Sequence, residues 1–395
     1  MEGAPAVGTL IRRRSVVAGM AETSAVTVVG GGALGCAAAL ALAEHGHEVT
    51  LLERRQLGAG NSSKAAGILS TLCHSDAEYR LIAETRGLLG ETISLALATG
   101  ERAAKGAWRS HPSIVVAHGE SIPVMEAMQE RAERFTEEVE RLDHRQAARM
   151  FSGLRLEPGE EAIVAQEDGV IEAGDFLVAL RARLASEGVT VRENAPAETV
   201  ADTTVVAGGA WTKAWLARRG VPLPVQMYRT QLASLHLPGG GELPIVHDLR
   251  QHFYTRPESE HGILAGNGTQ LHPFDPEDYN EAADPEFIAS IAERVVHRFE
   301  DGAEAQVRTG WAGLCVATPD RRPLCGPVPG KPGLFVLTGD NGFGLMRSLA
   351  LGQRMADAVR GKVEPALDPA RFLGVPDTFE MREGFGASAD ARLAP

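Results

Sequence analysis

Only five of the 395 residues are lysine (Lys64, Lys105, Lys213, Lys331 and Lys362), so a step that needs a lysine amine has few candidates. Cysteine is as scarce: Cys36, Cys73, Cys315 and Cys325 show no C-x-x-C and no metal-type spacing. That argues against a zinc ribbon or disulfide framework and for reduced thiols in a cytoplasmic protein. The histidines, among them His111, His144, His247, His252 and His261, form no H-E-x-x-H and no helical i, i+4 pair, so no metal is expected. No run approaches the roughly 18 apolar residues of a membrane span. A net charge of −13 leaves no basic excess for nucleic acid or anionic lipid. Arg12-Arg13-Arg14 resembles the opening of an export signal, but only Val16 to Met20 follow as an apolar stretch. Residues 1–24 therefore read as a disordered extension. With 44% hydrophobic residues the chain can bury a large core, and its length suggests two or three domains.

What is present is concentrated in residues 25–54, AVTVVGGGALGCAAALALAEHGHEVTLLER. Val26, Val28 and Val29 form a β-branched run that stops at Gly30-Gly31-Gly32, and an Ala/Leu-rich helix opens at Ala33-Leu34. Gly30, Gly32 and Gly35 satisfy G-x-G-x-x-G: a tight turn, backbone approach to a pyrophosphate, and close helix–strand packing. The helix N-terminus offers unpaired N–H groups to the phosphates. Glu53 ends the second strand, 23 positions after Gly30, where a carboxylate can hold ribose hydroxyls. The unit is a dinucleotide site.

Further along, helices are expected over 77–99, 123–150, 174–186 and 348–359. Short strands fall at 114–117, 170–171, 189–191, 203–207, 232–237, 252–256, 263–265 and 334–337. Asp284, Pro285 and Glu286 form a helix start. A second glycine loop, Gly339, Gly342 and Gly344, precedes the last helix, so the C-terminal part is expected to complete the cofactor domain. The fold class is α/β plus β. A discontinuous Rossmann-type domain (25–105, 164–217, 314–373) accompanies an antiparallel-sheet substrate domain (106–163, 218–313), with 374–395 as a tail.

Four motifs in order, VVGGGALG…LLER, GAGNSSKAAGIL, VVAGGAW and WAGLCVATPDRRPLCGP…LTGDNGFGLMRSLALG, resemble the D-amino-acid oxidase superfamily of FAD-dependent oxidoreductases. The resemblance covers residues 25–373 and implies FAD as cofactor, held non-covalently. It places Gly30, Gly32, Ala33, Leu34 and Gly35 on the pyrophosphate and Glu53 on the adenosine ribose. Arg54 falls on the adenine edge or is simply exposed. Asn61, Ser62, Ala65, Gly67 and Ile68 would pass the pyrophosphate and flavin edge, and Ala207, Gly208 and Trp211 would close the adenine end. Gly342, Phe343, Gly344 and Leu345 would set backbone N–H groups and a helix N-terminus near the flavin N1–C2 carbonyl.

Two departures bear on the substrate. Only RENAPAETVADTT lies between Val191 and Val205, which leaves the adenine side more open than in relatives. Cys315 stands where amino-acid-oxidising relatives carry an arginine that grips the substrate carboxylate. A thiol cannot form that bidentate pair, a loss of about 1.5–3 kcal/mol; covalent flavin attachment there is the lesser alternative. The carboxylate clamp would then pass to Arg229, or to Arg256. Tyr254 would line the pocket, with His252 on the same face by period-2 alternation, and Trp311 would border it or pack under the flavin. The resemblance implies oxidation of an amine or amino acid by hydride transfer to flavin N5, giving an imine that hydrolyses. O2 or an electron carrier is the acceptor, and the missing lysine at 262–266 tilts this toward a carrier. A hydroxy acid, a specialised biosynthetic amine or a non-catalytic FAD-bearing subunit stay open as alternatives, as does a homo-oligomer.

Overall fold

The computed structural model describes residues 24–199, 201–268, 275–376 and 379. The expectations for residues 1–23 and for most of the tail lie outside the described residues.

Strand Ala25–Val29 is central to a six-stranded sheet, flanked by Glu48–Leu52 and Thr190–Arg192 on one side. On the other side lie Thr204–Val206, Leu334–Thr338 and Leu324–Pro327. All neighbours are parallel except the Leu324–Pro327 edge strand. Adjacent residues enter different cores: Val205 and Leu337 pack among the helices, Val206 and Val336 against Leu216, Leu223 and Leu314. Alternation thus buries both faces, as a parallel sheet requires. Helix Ala33–Glu44 is almost wholly Ala, Leu and Cys, and ten of its twelve residues are buried. It is small enough to be sandwiched between the sheet and helix Gly344–Val359, whose Leu349, Ala350 and Leu351 share its core. A late segment of the chain therefore packs on the helix that follows the first glycine loop.

The second sheet has eight strands, in the order Gln306–Ala317, Gln226–His236, Gly262–Gly266, Phe253–Ser259, Ile245–Asp248, Ser113–Ala117, Glu161–Ala165, Val139–Asp143. Its one parallel pairing joins Ile245–Asp248 to Ser113–Ala117. The helical expectation for 123–150 is corrected here. Helix Ile122–Arg134 ends before the edge strand Val139–Asp143, and Asp143 then caps a separate short helix through a reciprocal bond with Gln146. An edge strand exposing Glu140 and Arg141 carries the charges that keep sheet edges from pairing, and in sequence those charges mimic an amphipathic helix. Asp284 is the N-cap of helix Pro285–Arg298 as anticipated, but its carboxylate makes no cap bond. It is committed to Arg229.

Candidate active site

A long cleft opens along the C-terminal ends of the parallel strands. Its outer arm is lined by Gly30, Gly32, Ala33, Leu34, Glu53, Arg54, Asn61, Ser62, Ala65, Ala207, Gly208 and Trp211. Gly30 sits at φ +107°, and a Cβ there would lie 2.4 Å from the Ala207 carbonyl oxygen, so only glycine allows this crossing. Gly32 differs: a Cβ would meet only Ser62 Oγ, at 3.1 Å, and would otherwise point into the cleft. Helix Ala33–Glu44 has no side-chain cap of its own; the Ala33 N–H donates to Ser62 Oγ at 2.9 Å. Glu53 accepts from the Gly31 N–H at 2.7 Å and the Arg55 N–H at 2.8 Å, which fixes its carboxylate at the strand end. Arg54 lies 4.4 Å from the Trp211 ring centre and forms a two-point ion pair with Glu277, which also accepts from Trp211 Nε1.

The inner arm is a chamber between the two sheets, and Asn61, Ala65, Cys315, Gly342 and Leu345 line both arms. Tyr228 and Cys315 are cross-strand neighbours; the phenol donates to Cys315 Sγ, and Asn61 Nδ2 lies 3.5 Å from the same sulfur. Burial, with Asp340 adding to it, pushes the Cys315 thiol up to about 12, so it stays protonated. Burial likewise raises Tyr228 and Tyr254 well above the usual phenol range. His247 stands directly across from Tyr254 on the next strand; burial and then the nearby His74 pull it down to about 4, so it is neutral. Gly67, Ile68, Thr230, Leu232, Trp311 and Phe343 complete the wall near the joint. In the first turn of helix Gly344–Val359, Arg347 is 1% exposed and stacks 4.6 Å from the Phe343 ring centre. Its Nη2 bonds Glu78 at 2.9 Å, while Nε and Nη1 are buried with no partner among the described residues.

With this geometry in view, the sequence profile described as FAD dependent oxidoreductase (DAO) matches residues 25–358. The chain belongs to that family. Glycine oxidase of Geobacillus kaustophilus is 27% identical over 390 residues, covering 88% of this chain and 95% of that protein. Human mitochondrial sarcosine dehydrogenase is 23% identical over 85% of this chain, which spans 39% of that longer protein. Among solved structures, the G. kaustophilus glycine oxidase superposes with a TM-score of 0.75 at 25% identity, over 90% of this chain and 99% of that one. L-proline dehydrogenase from P. horikoshii superposes at 0.80 with 19% identity, over 90% and 100%, a likeness of fold.

The family uses FAD, and the residues fit it. A side-chain-free gap at Gly32, a helix N-terminus whose N-cap residue has no side chain and a carboxylate held at the end of the second strand form one continuous cradle. The Gly342–Leu345 loop meets that cradle at the joint, on the first turn of a buried helix.

Two placements inferred for the substrate end are corrected. Arg229 does not line the chamber. Strand Gln226–His236 turns Tyr228, Thr230 and Leu232 toward it, so Arg229 and Gln231 face away. There Arg229 donates to Asp284 and to the Asn280 and Ala282 carbonyls, a fully engaged and buried guanidinium. His252 precedes strand Phe253–Ser259 at φ +53°, in the turn, where period-2 alternation no longer applies; it is absent from the chamber wall. Arg256, the other clamp candidate, is bound to Glu172 and the Ala66 carbonyl. Arg347, His247, Glu78 and Tyr228 were missed. A signal for Arg347 did exist: one arginine amid Leu345, Met346, Leu349 and Leu351 on a helix that buries all of them.

Asp340 tests the electrostatics of the joint. Burial raises its carboxyl to about 6, against the opposing Arg347 charge and the Gly342 and Phe343 N–H groups. A carboxyl raised in the fold favours folding below its unfolded value, and that contribution is lost as pH climbs through about 6. Asp340→Asn should therefore stabilise the fold at pH 7.5 by up to about 3 kcal/mol, raising Tm, and flatten the decline of stability between pH 4 and 6. Thermal melts across that range check it; an unchanged pH profile contradicts it.

Proposed function

We propose that this FAD-dependent oxidoreductase oxidises the C–N bond of an amino acid or N-alkyl amino acid, with Arg347 holding the substrate carboxylate. The observation that carries the reading is the buried guanidinium in the wall of the inner chamber, with two donors unpaired among the described residues. Leaving such donors unpaired is costly, and an anionic oxygen is the ligand that best satisfies a guanidinium donor there.

Bound FAD supplies the electron-pair acceptor for the C–H bond beside nitrogen. Asn61, Ala65, Cys315, Gly342 and Leu345 hold the joint of the cleft where the reacting carbon must come. Cys315 accepts hydrogen bonds as a thiol and is no nucleophile, which supports a non-covalent cofactor. Tyr228 and Tyr254 keep their protons and can orient a substrate but not deprotonate it. Glu78 already receives Arg347 and the His74 N–H, and burial of Asp340 is met by two backbone N–H groups. With neither carboxylate free for an ammonium, the chamber selects the neutral amine, whose proton is left in water before entry. Leu72, Val115, Met128 and Leu249 exclude water from the rest of the chamber. The four buried thiols fit a reducing, cytoplasmic setting. Lys64, the lysine of the chamber wall, is tied to Tyr279 and Glu281. That favours a carrier over O2 as acceptor.

Anaerobic titration of the purified holoenzyme tests the reading. Amino or N-methyl amino acids should bleach the oxidised-flavin absorbance, more readily as pH rises toward the amine pKa. Bleaching by hydroxy acids alone, or by nothing, overturns it.

A further inference from the structure

The inner chamber continues past the joint, and its wall carries a histidine, His247, to which the reaction gives no part. The far wall belongs to the second sheet. Val115, His247 and Tyr254 are cross-strand neighbours in one row, and all three face the chamber. Tyr254 pairs in turn with Gly266; a Cβ at Gly266 would lie 2.5 Å from the Tyr254 hydroxyl, so the ring lies over the bare glycine. His247 is partly accessible and lines the chamber, whose wall also includes Leu72, Met128 and Leu249. His247 Nε2 has no hydrogen-bond partner among the described residues. Its ring torsion is broad and two-fold, so a half-turn exchanges Nε2 with a ring carbon and brings a nitrogen to a ligand.

Building on the amino-acid reading, we infer that this wall is a side-chain pocket, in which His247 hydrogen-bonds a neutral polar tip on an otherwise apolar substituent of the substrate. The chemistry of the wall selects that class. A purely apolar group would leave the imidazole nitrogen buried and unpaired, the arrangement by which built polar sites reject analogues lacking the matching group. A cationic tip finds no free carboxylate, since Glu78 is taken by Arg347 and the His74 N–H. An anionic tip would face a neutral ring, not a cation. A phenol, hydroxyl or carboxamide meets all three conditions, and the Leu72, Val115, Met128 and Leu249 surface accommodates the stem.

The test uses carboxylic acids that lack the amine, so that binding is read without turnover. 3-Phenylpropanoate and 3-(4-hydroxyphenyl)propanoate are titrated into oxidised holoenzyme, and Kd is taken from the perturbed flavin spectrum. The hydroxylated acid should bind about tenfold more tightly. In His247→Leu that ratio should fall to near one, and in His247→Gln, which keeps a polar tip, part of it should return. Equal binding of the two acids by the wild type overturns the pocket while leaving the amino-acid reading intact. So does a His247→Leu variant that weakens both acids and acetate alike, since His247 would then act at the carboxylate end. If no carboxylic acid, acetate included, perturbs the flavin, the carboxylate site itself falls and the side-chain pocket with it.

Discussion

Arg347→Ala should lower kcat/KM for a carboxylated substrate by at least about 100-fold while the protein still purifies with FAD. Two charge-assisted hydrogen bonds, at about 1.5–3 kcal/mol each, account for a loss of that size. Removing the guanidinium also strands Glu78, whose carboxyl is lifted by burial but held below its ordinary range overall, chiefly by the Arg347 charge. That stranding weakens the fold on its own account. The double variant Arg347→Met with Glu78→Gln separates the two effects, because it removes the clamp and the orphaned charge together. It should recover the Tm lost in Arg347→Ala but none of the lost kcat/KM. A substrate amide, which presents no carboxylate, should distinguish wild type from variant far less. Equal kcat/KM for the acid in wild type and variant refutes the clamp. Arg229→Ala should behave in the opposite way. Its partners are Asp284 and two carbonyls behind the strand, so stability falls by about 3–5 kcal/mol and substrate affinity in the surviving fold is kept.

The contrast between those arginines shows what a sequence can carry. The βαβ unit was legible because its parts are adjacent in the chain: strand, Gly30 to Gly35, helix and Glu53 follow one another, and their geometry is local. The proposed reacting end is assembled from the strands holding Tyr228, His247, Tyr254 and Cys315, the helix holding Arg347 and the short turn of helix at Asn61. There, one residue of offset reverses the outcome: Tyr228 faces the chamber, and Arg229 faces Asp284. A run of alternating residues sets two faces but does not say which is inside. His252 and Tyr254 share a face only if the strand has begun by His252, and the positive φ of His252 delays its start by one residue. His247 became visible only through pairing, since its neighbour Tyr254 is across a strand gap. Arg347 lay inside a recognised motif, yet its significance depends on Glu78 taking one nitrogen and leaving two unpaired.

The second large effect concerns Gly32, and Gly32→Val should yield a folded protein that is nearly colourless. The three glycines of the first loop make different demands. Gly30 needs φ +107° and has the Ala207 carbonyl 2.4 Å from any Cβ, and at Gly35 a Cβ would lie 1.9 Å from the Gly30 carbonyl oxygen. Side chains at either position collide with backbone, so those variants lose structure along with cofactor and cannot report on the site. Gly32 has φ −74° and ψ 179°, extended backbone that valine adopts readily. Its one near neighbour is Ser62 Oγ at 3.1 Å, a side-chain atom that can yield. The two valine methyls would then stand in the space where the pyrophosphate must approach backbone. Bound FAD should fall below about a tenth of the wild-type content. Added FAD should raise the Tm of wild-type apoprotein, as a ligand bound only by the folded state does, and leave the variant's Tm where it is. The apo forms should melt within a degree or two of each other, since the substitution touches no core contact. A variant that stays yellow would mean that the phosphates pass elsewhere than over Gly32. The cradle formed by Glu53, Ser62 and the helix N-terminus would then be a loop brace and not the cofactor's seat.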